Sequence, residues 1–160
     1  RSVTTPPLSN RDIATVLYEI ADLLEIKDDN PFRIRAYRNA AQLIGGWGEA
    51  IADMLAKNES LTTLPGIGKD LALKIRTIAE TGTCDVLENL HRELPSTLSL
   101  LLKIPGLGPK RVQTLYRHLD ISTPEQLHAA AKNGQIRELP GFGEKIEMAI
   151  VQELERLNTR

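Results

Sequence analysis

Three short stretches of this chain repeat one pattern: an apolar residue, Pro, Gly, an apolar residue, Gly. They are Leu64-Pro65-Gly66-Ile67-Gly68-Lys69, Ile104-Pro105-Gly106-Leu107-Gly108-Pro109 and Leu139-Pro140-Gly141-Phe142-Gly143-Glu144. In such a corner the proline fixes the backbone angle going in. The glycines permit positive φ and let a second backbone approach with no Cβ in the way. The residues after each corner open a helix, so unpaired N–H groups and the positive end of the helix dipole point outward. That is an anion site that needs no cationic side chain. A phosphodiester suits it, and contacts of this kind hold a strand without reading its sequence. One copy could merely link two helices; three copies with the same flanking periodicity favour the phosphate reading.

The charge balance makes main-chain donors necessary to that reading. Twenty Lys and Arg against twenty-one Asp and Glu leave a net −1, whereas nucleic-acid binders usually carry a basic excess. Residues 1–90 carry −3 and residues 91–160 carry +2. The cations placed to help are Arg33, Arg35 and Arg38, then Lys69, Lys110, Arg111 and Lys145. Lys110 and Arg111 fall in the first turn after Gly108, beside the free amides.

The elements that must position these corners read as helices throughout. Leu71, Ile75 and Ile78 follow the first corner, Val112 and Leu115 the second, and Ile146, Ile150, Val151 and Leu154 the third, all at helical spacing. Short apolar pieces (Leu61, Leu98 to Leu102, Ile136) precede them, so each unit reads as helix, tight turn, helix. Ser9 or Asn10 caps a first helix whose stripe is Ile13, Val16, Leu17, Ile20, Leu23 and Leu24. Asn30-Pro31 starts a second that Gly45-Gly46 ends, Glu49 to Lys57 forms a short third, and Thr123-Pro124 starts one that closes at Asn133-Gly134. Residues 1–8 read as a frayed leader. The expected fold is all-α: two small helical domains, 1–84 and 85–160, joined near 82–95 by a helix through Val86, Leu87 and Leu90, with one helix-turn-helix corner in the first and two in the second.

Other function classes find little support. No apolar run approaches the roughly 20 residues of a membrane span, and the first residues lack the apolar core of a secretory signal. Cys84 is the single cysteine, which fits a reducing cytoplasm. His91, His118 and His128 are scattered and give no metal-ligand spacing. Trp47, between two glycines, reads as a plug at a helix junction. Asp12, Glu19, Asp22 and Glu25 read as a solvated face of the first helix.

The repeated corner resembles the helix-hairpin-helix motif of DNA-binding and repair proteins. The first copy, with Ala72 six residues after Gly66, fits best; the second has Val112 there, and the third has Glu147, whose charge suits packing better than DNA contact. The order of elements, together with Asn30-Pro31-Phe32-Arg33-Ile34-Arg35-Ala36-Tyr37-Arg38-Asn39-Ala40-Ala41, resembles the amino-terminal 8-kDa-type domain and hairpin-bearing fingers of a bacterial family X (polymerase β-like) DNA polymerase. The likeness covers residues 9–158.

That resemblance implies a monomer that binds nicked, gapped or 5′-phosphorylated DNA in repair, in a bacterial cytoplasm near the nucleoid. Arg33, Tyr37, Arg38, Lys69 and Lys74 would surround a 5′-phosphate. Gly66, Ile67, Gly68 and Lys69, Gly106, Leu107, Gly108, Lys110 and Arg111, and Gly141, Gly143 and Lys145 would line the DNA backbone. Lys74 matches the lysine that forms a Schiff base in 5′-deoxyribose-phosphate lyases, and its place at the border of the Leu71, Ile75, Ile78 stripe suits a partly desolvated amine. Where strongly lyase-active relatives carry basic residues, this chain has Phe32, Thr62, Asp70 and Val86. The family also implies Na⁺ or K⁺ on the carbonyls of Thr62, Leu64 and Ile67 and of Leu102, Ile104 and Leu107. The polymerase's Mg²⁺ or Mn²⁺ would sit on palm-domain carboxylates, and no Asp-x-Asp pair occurs here. The competing readings are a non-catalytic helical protein-interaction module and the DNA-binding part of another helix-hairpin-helix repair protein.

Overall fold

A computed structural model describes residues 7–158. The described residues form nine α-helices and no strand: α1 (Asn10–Lys27), α2 (Pro31–Gly45), α3 (Ile51–Ala56), α4 (Lys69–Thr81), α5 (Asp85–Glu93), α6 (Leu98–Leu102), α7 (Pro109–Leu119), α8 (Pro124–Lys132) and α9 (Glu144–Asn158). The starts follow cap chemistry. Ser9 Oγ accepts from Asp12 N at 3.1 Å, Asn30 Oδ1 from Phe32 N at 2.8 Å, and Thr123 Oγ1 from Gln126 N at 3.1 Å. Pro31 and Pro124 each stand at the first helical position, where no N–H is missed. Asn10 then acts as a cross-brace instead of a cap. Its side chain donates to Glu49 O at 2.9 Å and accepts from Ile51 N at 2.8 Å, which closes the start of α3.

The chain divides into two compact units. One holds residues 1–24 and 29–90, the other residues 25–28 and 91–160; the division thus falls within α5, after Leu90. In the first unit Ile13, Leu17 and Ile20 of α1, Ile44 of α2, Ile51 of α3 and Ile75 and Ile78 of α4 are all fully buried. Each contributes about 1.5–3 kcal/mol relative to an exposed side chain. The second unit buries Leu98 and Leu101 of α6, Val112 and Leu115 of α7, Leu127 of α8, Ile136, and Ile150 of α9. These are the stripes that flank the corners, so the same periodicity that makes the helices also aims the corners away from the core.

Three expectations change. Leu8 is not frayed: its N–H bonds Ala79 O at 2.9 Å, which ties this residue to α4; residues 1–6 of the expected leader lie outside the described residues. The arm before the first corner is a 3-10 turn, Leu61–Thr63, because Ser60 captures Thr62 N and Thr63 Oγ1 within three residues. The arm before the third corner is no helix at all. The N–H groups of Ile136 and Arg137 go to the Glu147 carboxylate, at 2.9 and 3.0 Å, in place of a helical ladder. Only the second corner has an α-helical leading arm, α6. Trp47 is half-buried between the turns that follow α2.

Candidate nucleic-acid interface

All three corners share one backbone. Ile67, Leu107 and Phe142 donate their N–H to Leu64, Ile104 and Leu139 O at 3.1, 3.0 and 3.1 Å. Proline second and a positive-φ glycine third are what a type II turn demands, and Gly66, Gly106 and Gly141 lie at φ +78°, +89° and +80°. The apolar residue between the glycines is the inward anchor: Ile67 and Leu107 are buried. The second glycine caps the following helix with no side chain of its own. Gly68 and Gly108 are extended, at φ −87° and −89°. The first helical N–H to bond back into the turn is Ala72 to Gly68 O at 2.8 Å, Val112 to Gly108 O at 3.0 Å and Glu147 to Gly143 O at 3.0 Å. The amides ahead of these face outward, as the start of any helix leaves them; in α7 the first place is Pro109, which has none.

The corners are also open. A Cβ on Gly66, Gly68, Gly106, Gly108, Gly141 or Gly143 would find no atom within 4 Å. Pro65, Gly66, Gly68 and Lys69 are exposed, as are Pro105, Gly106, Gly108 and Lys110. Lys69 also lines a cleft of about 240 Å³ with Ser60, Thr62, Leu73 and Arg76.

Side chains then distinguish the corners. Among the described residues Lys69, Lys110 and Lys145 make no ion pair, so their charge is available to a ligand. Arg111 is used differently from the sequence expectation: Nη1 donates to Gly106 O at 2.9 Å and Nε to Gly141 O at 3.3 Å. Glu147, 1% exposed, is a structural acid. Burial pushes its carboxyl up, but the Arg137 guanidinium at 2.8 Å and the Arg137 and Ile136 amides outweigh that and hold it below the usual carboxylate range. The third corner's acid is therefore turned inward, beneath the loop.

In the first unit, three of the five residues expected around a 5′-phosphate (Arg33, Arg38 and Lys74) are paired with carboxylates. Lys74 Nζ lies 3.6 Å from Asp70 and 3.5 Å from Asp85, with 15% of its side chain exposed. The expected partial burial is present, with a carboxylate on either side. Arg33 reaches Asp29 at 3.4 Å and Arg38 reaches Asp22 at 2.7 Å. Tyr37 is only 4% exposed. Burial pushes its hydroxyl up to about 12; Arg33 opposes this, while Cys84, Asp70 and Asp85 add to it. Tyr37 is thus a buried, neutral phenol more than a projecting phosphate ligand. Cys84 is a buried free thiol.

Asp22, read from the sequence as part of a solvated face, and Asp85, which that reading did not single out, each meet their partner across helices. Asp29 and Arg33, at i and i+4, were within reach of spacing alone.

Comparison with known proteins agrees with this geometry. Residues 8–84 match a helix-hairpin-helix domain family, and residues 98–156 match a family described as a SAM-like helix-hairpin-helix tandem. Over 147 residues, 92% of this chain, the sequence is 35% identical to the DNA polymerase/3′-5′ exonuclease PolX of Bacillus subtilis (strain 168). The chain thus carries helix-hairpin-helix domains and, over 92% of its length, is similar to the amino-terminal part of that family X DNA polymerase. It spans about a quarter of the length of that relative. The first helix-hairpin-helix match ends just before α5, and the tandem match takes in the second and third corners together. Among the described residues no cluster of three or more His, Cys, Asp or Glu is grouped to hold a metal, and no helix is long and apolar enough to cross a membrane.

Proposed function

We propose that this chain binds DNA without sequence preference at nicks, gaps and 5′-phosphate ends, as the amino-terminal part of a family X polymerase acting in repair. One observation carries the reading: a glycine corner, open to solvent and capped by no side chain, recurs at 66–68, 106–108 and 141–143. The amides at each corner would take phosphate oxygens, while Lys69, Lys110 and Lys145 add charge beside them. The first unit would hold the downstream 5′ end and the second the primer or template backbone. One free lysine stands at each corner among the described residues, so few counterions leave on binding and the salt dependence is shallow.

A monovalent cation, Na⁺ or K⁺, would sit on the hairpin carbonyls. Leu64 O and Ile104 O each accept one turn N–H, at 3.1 and 3.0 Å, and keep a lone pair for such an ion. It would add positive charge beside the phosphate.

The lyase step that the family implies would run through Lys74. The amine nitrogen bonds C1′ of the ring-opened deoxyribose as the carbonyl oxygen leaves as water; loss of a C2′ proton then breaks the C3′–O bond and frees the strand. Lys74 must first leave Asp70 and Asp85. Borohydride trapping on a 5′-deoxyribose-phosphate substrate tests this: an adduct that disappears in Lys74→Ala supports it, and no adduct removes it.

For the binding reading, the deciding experiment is a gel shift on a one-nucleotide gap with and without the 5′-phosphate. Tighter binding to the phosphorylated gap is expected. Equal binding to both, or a salt slope that implies about ten neutralised phosphates, would sink the reading.

A further inference from the structure

The guanidinium of Arg111 reaches both corners of the second unit. Nη1 holds Gly106 O at 2.9 Å and Nε holds Gly141 O at 3.3 Å. Its Cζ lies 5.8 Å from the centroid of the Phe142 ring, within cation–π range. Phe142 is the residue that follows Gly141, so two of the three contacts fall on the third corner. A planar guanidinium with donors pointing in several fixed directions can span two carbonyls and an aromatic face; a lysine ammonium on its single stem cannot. This cation therefore commits Nε and Nη1 to protein oxygens, while Lys110 beside it and Lys145 at the equivalent turn of α9 are exposed and make no ion pair among the described residues.

We propose that Arg111 is a positioning residue: it ties the second corner to the third, so that the two engage the DNA backbone as one unit. The third corner, although it carries Glu144 and Glu147 in its first turn, is then recruited to the backbone by a residue of the second. This rests on the DNA-binding reading above, and it assigns Arg111 a role other than direct phosphate contact.

The test is binding of the chain to a gapped duplex at one low salt concentration, for Arg111→Ala, Arg111→Lys, Lys110→Ala, Lys145→Ala and the doubles. Arg111→Ala and Arg111→Lys should both lose about tenfold, because charge without the span does not restore the tie. Lys145→Ala should cost about threefold alone and almost nothing on top of Arg111→Ala, whereas Lys110→Ala and Lys145→Ala should multiply. Near-wild-type binding by Arg111→Lys, or an equal cost of Lys145→Ala in both backgrounds, would overturn the proposal and make Arg111 a phosphate ligand. Amide exchange without DNA reads the tie alone. It should quicken over residues 142–147 in both Arg111 variants, and unchanged exchange there overturns the tie whatever the DNA result. A wild-type chain that binds no gapped duplex overturns the functional reading and the DNA half of this proposal, while the exchange result still decides the tie.

Discussion

The second and third corners share a turn, a positive-φ glycine and an open approach, yet their first helical turns do opposite things. After Gly108 come Lys110, free at the surface, and Arg111, bonded to two carbonyls. After Gly143 come Glu144, Lys145 and finally Glu147, whose carboxylate lies beneath the loop and holds Ile136 and Arg137. The first corner takes a third course, with Lys69 free and Asp70 beside Lys74. The lesson is a division of labour: the backbone of the corner fixes where a phosphate can sit, and the first-turn side chains decide whether that corner holds itself, its neighbour or the ligand.

The largest effect that would break this comparison is on Glu147. Glu147→Ala strands the Ile136 and Arg137 N–H groups and removes the nearer carboxylate of the Arg137 guanidinium, and should destabilise the chain by about 2–3 kcal/mol in urea or thermal melts. A neutral effect would mean that the third corner does not depend on its inward acid. The same group sets a pH dependence. Its pKa is lowered on folding, so its contribution is present above the unfolded carboxylate value of about 4.3 and is lost as pH falls through the lower folded value. Stability of the wild type should therefore fall below that pH more steeply than stability of Glu147→Gln.

Next in size are two glycine changes that separate strain from obstruction. Gly106→Ala puts a side chain at φ +89° and should cost about 1–2 kcal/mol of stability. Gly108→Ala, at φ −89° with open space around it, should leave the melt within about 0.5 kcal/mol of wild type. Its methyl would nonetheless stand where a strand must pass, and gapped-DNA affinity should drop about tenfold. Were the corners only helix linkers, Gly108→Ala would bind as well as wild type.

Asp70→Lys makes the first corner resemble the second, where Lys110 holds the equivalent place. It should raise affinity for gapped DNA about threefold and steepen the salt slope by about one. Smallest is Lys110→Ala, which should weaken binding to all sequences alike and reduce that slope by about one.

Sequence periodicity carried most of the fold. Stripes at three and four residue spacing placed α1, α4, α7 and α9, and Asn30-Pro31 and Thr123-Pro124 marked two helix starts to the residue, because caps and first-turn prolines act within four residues of chain. The corners were legible for the same reason: a turn that needs proline second and glycine third states its geometry locally. The arms before the first and third corners were less so, since Ser60 and Glu147 replace helical bonds with side-chain bonds that no apolar spacing encodes.

By itself, then, the sequence determined the helices, the three corners and the outward amides, all of which follow from backbone preferences over short stretches. Tertiary structure alone decided which charges remain for a ligand. Arg38 is drawn to Asp22, Lys74 to Asp85, Arg111 to Gly141 O and Glu147 to Arg137, each across an interval too long for helical spacing to link. Charge pairing acts through space and falls off with distance, so only the folded chain fixes which partners come within reach.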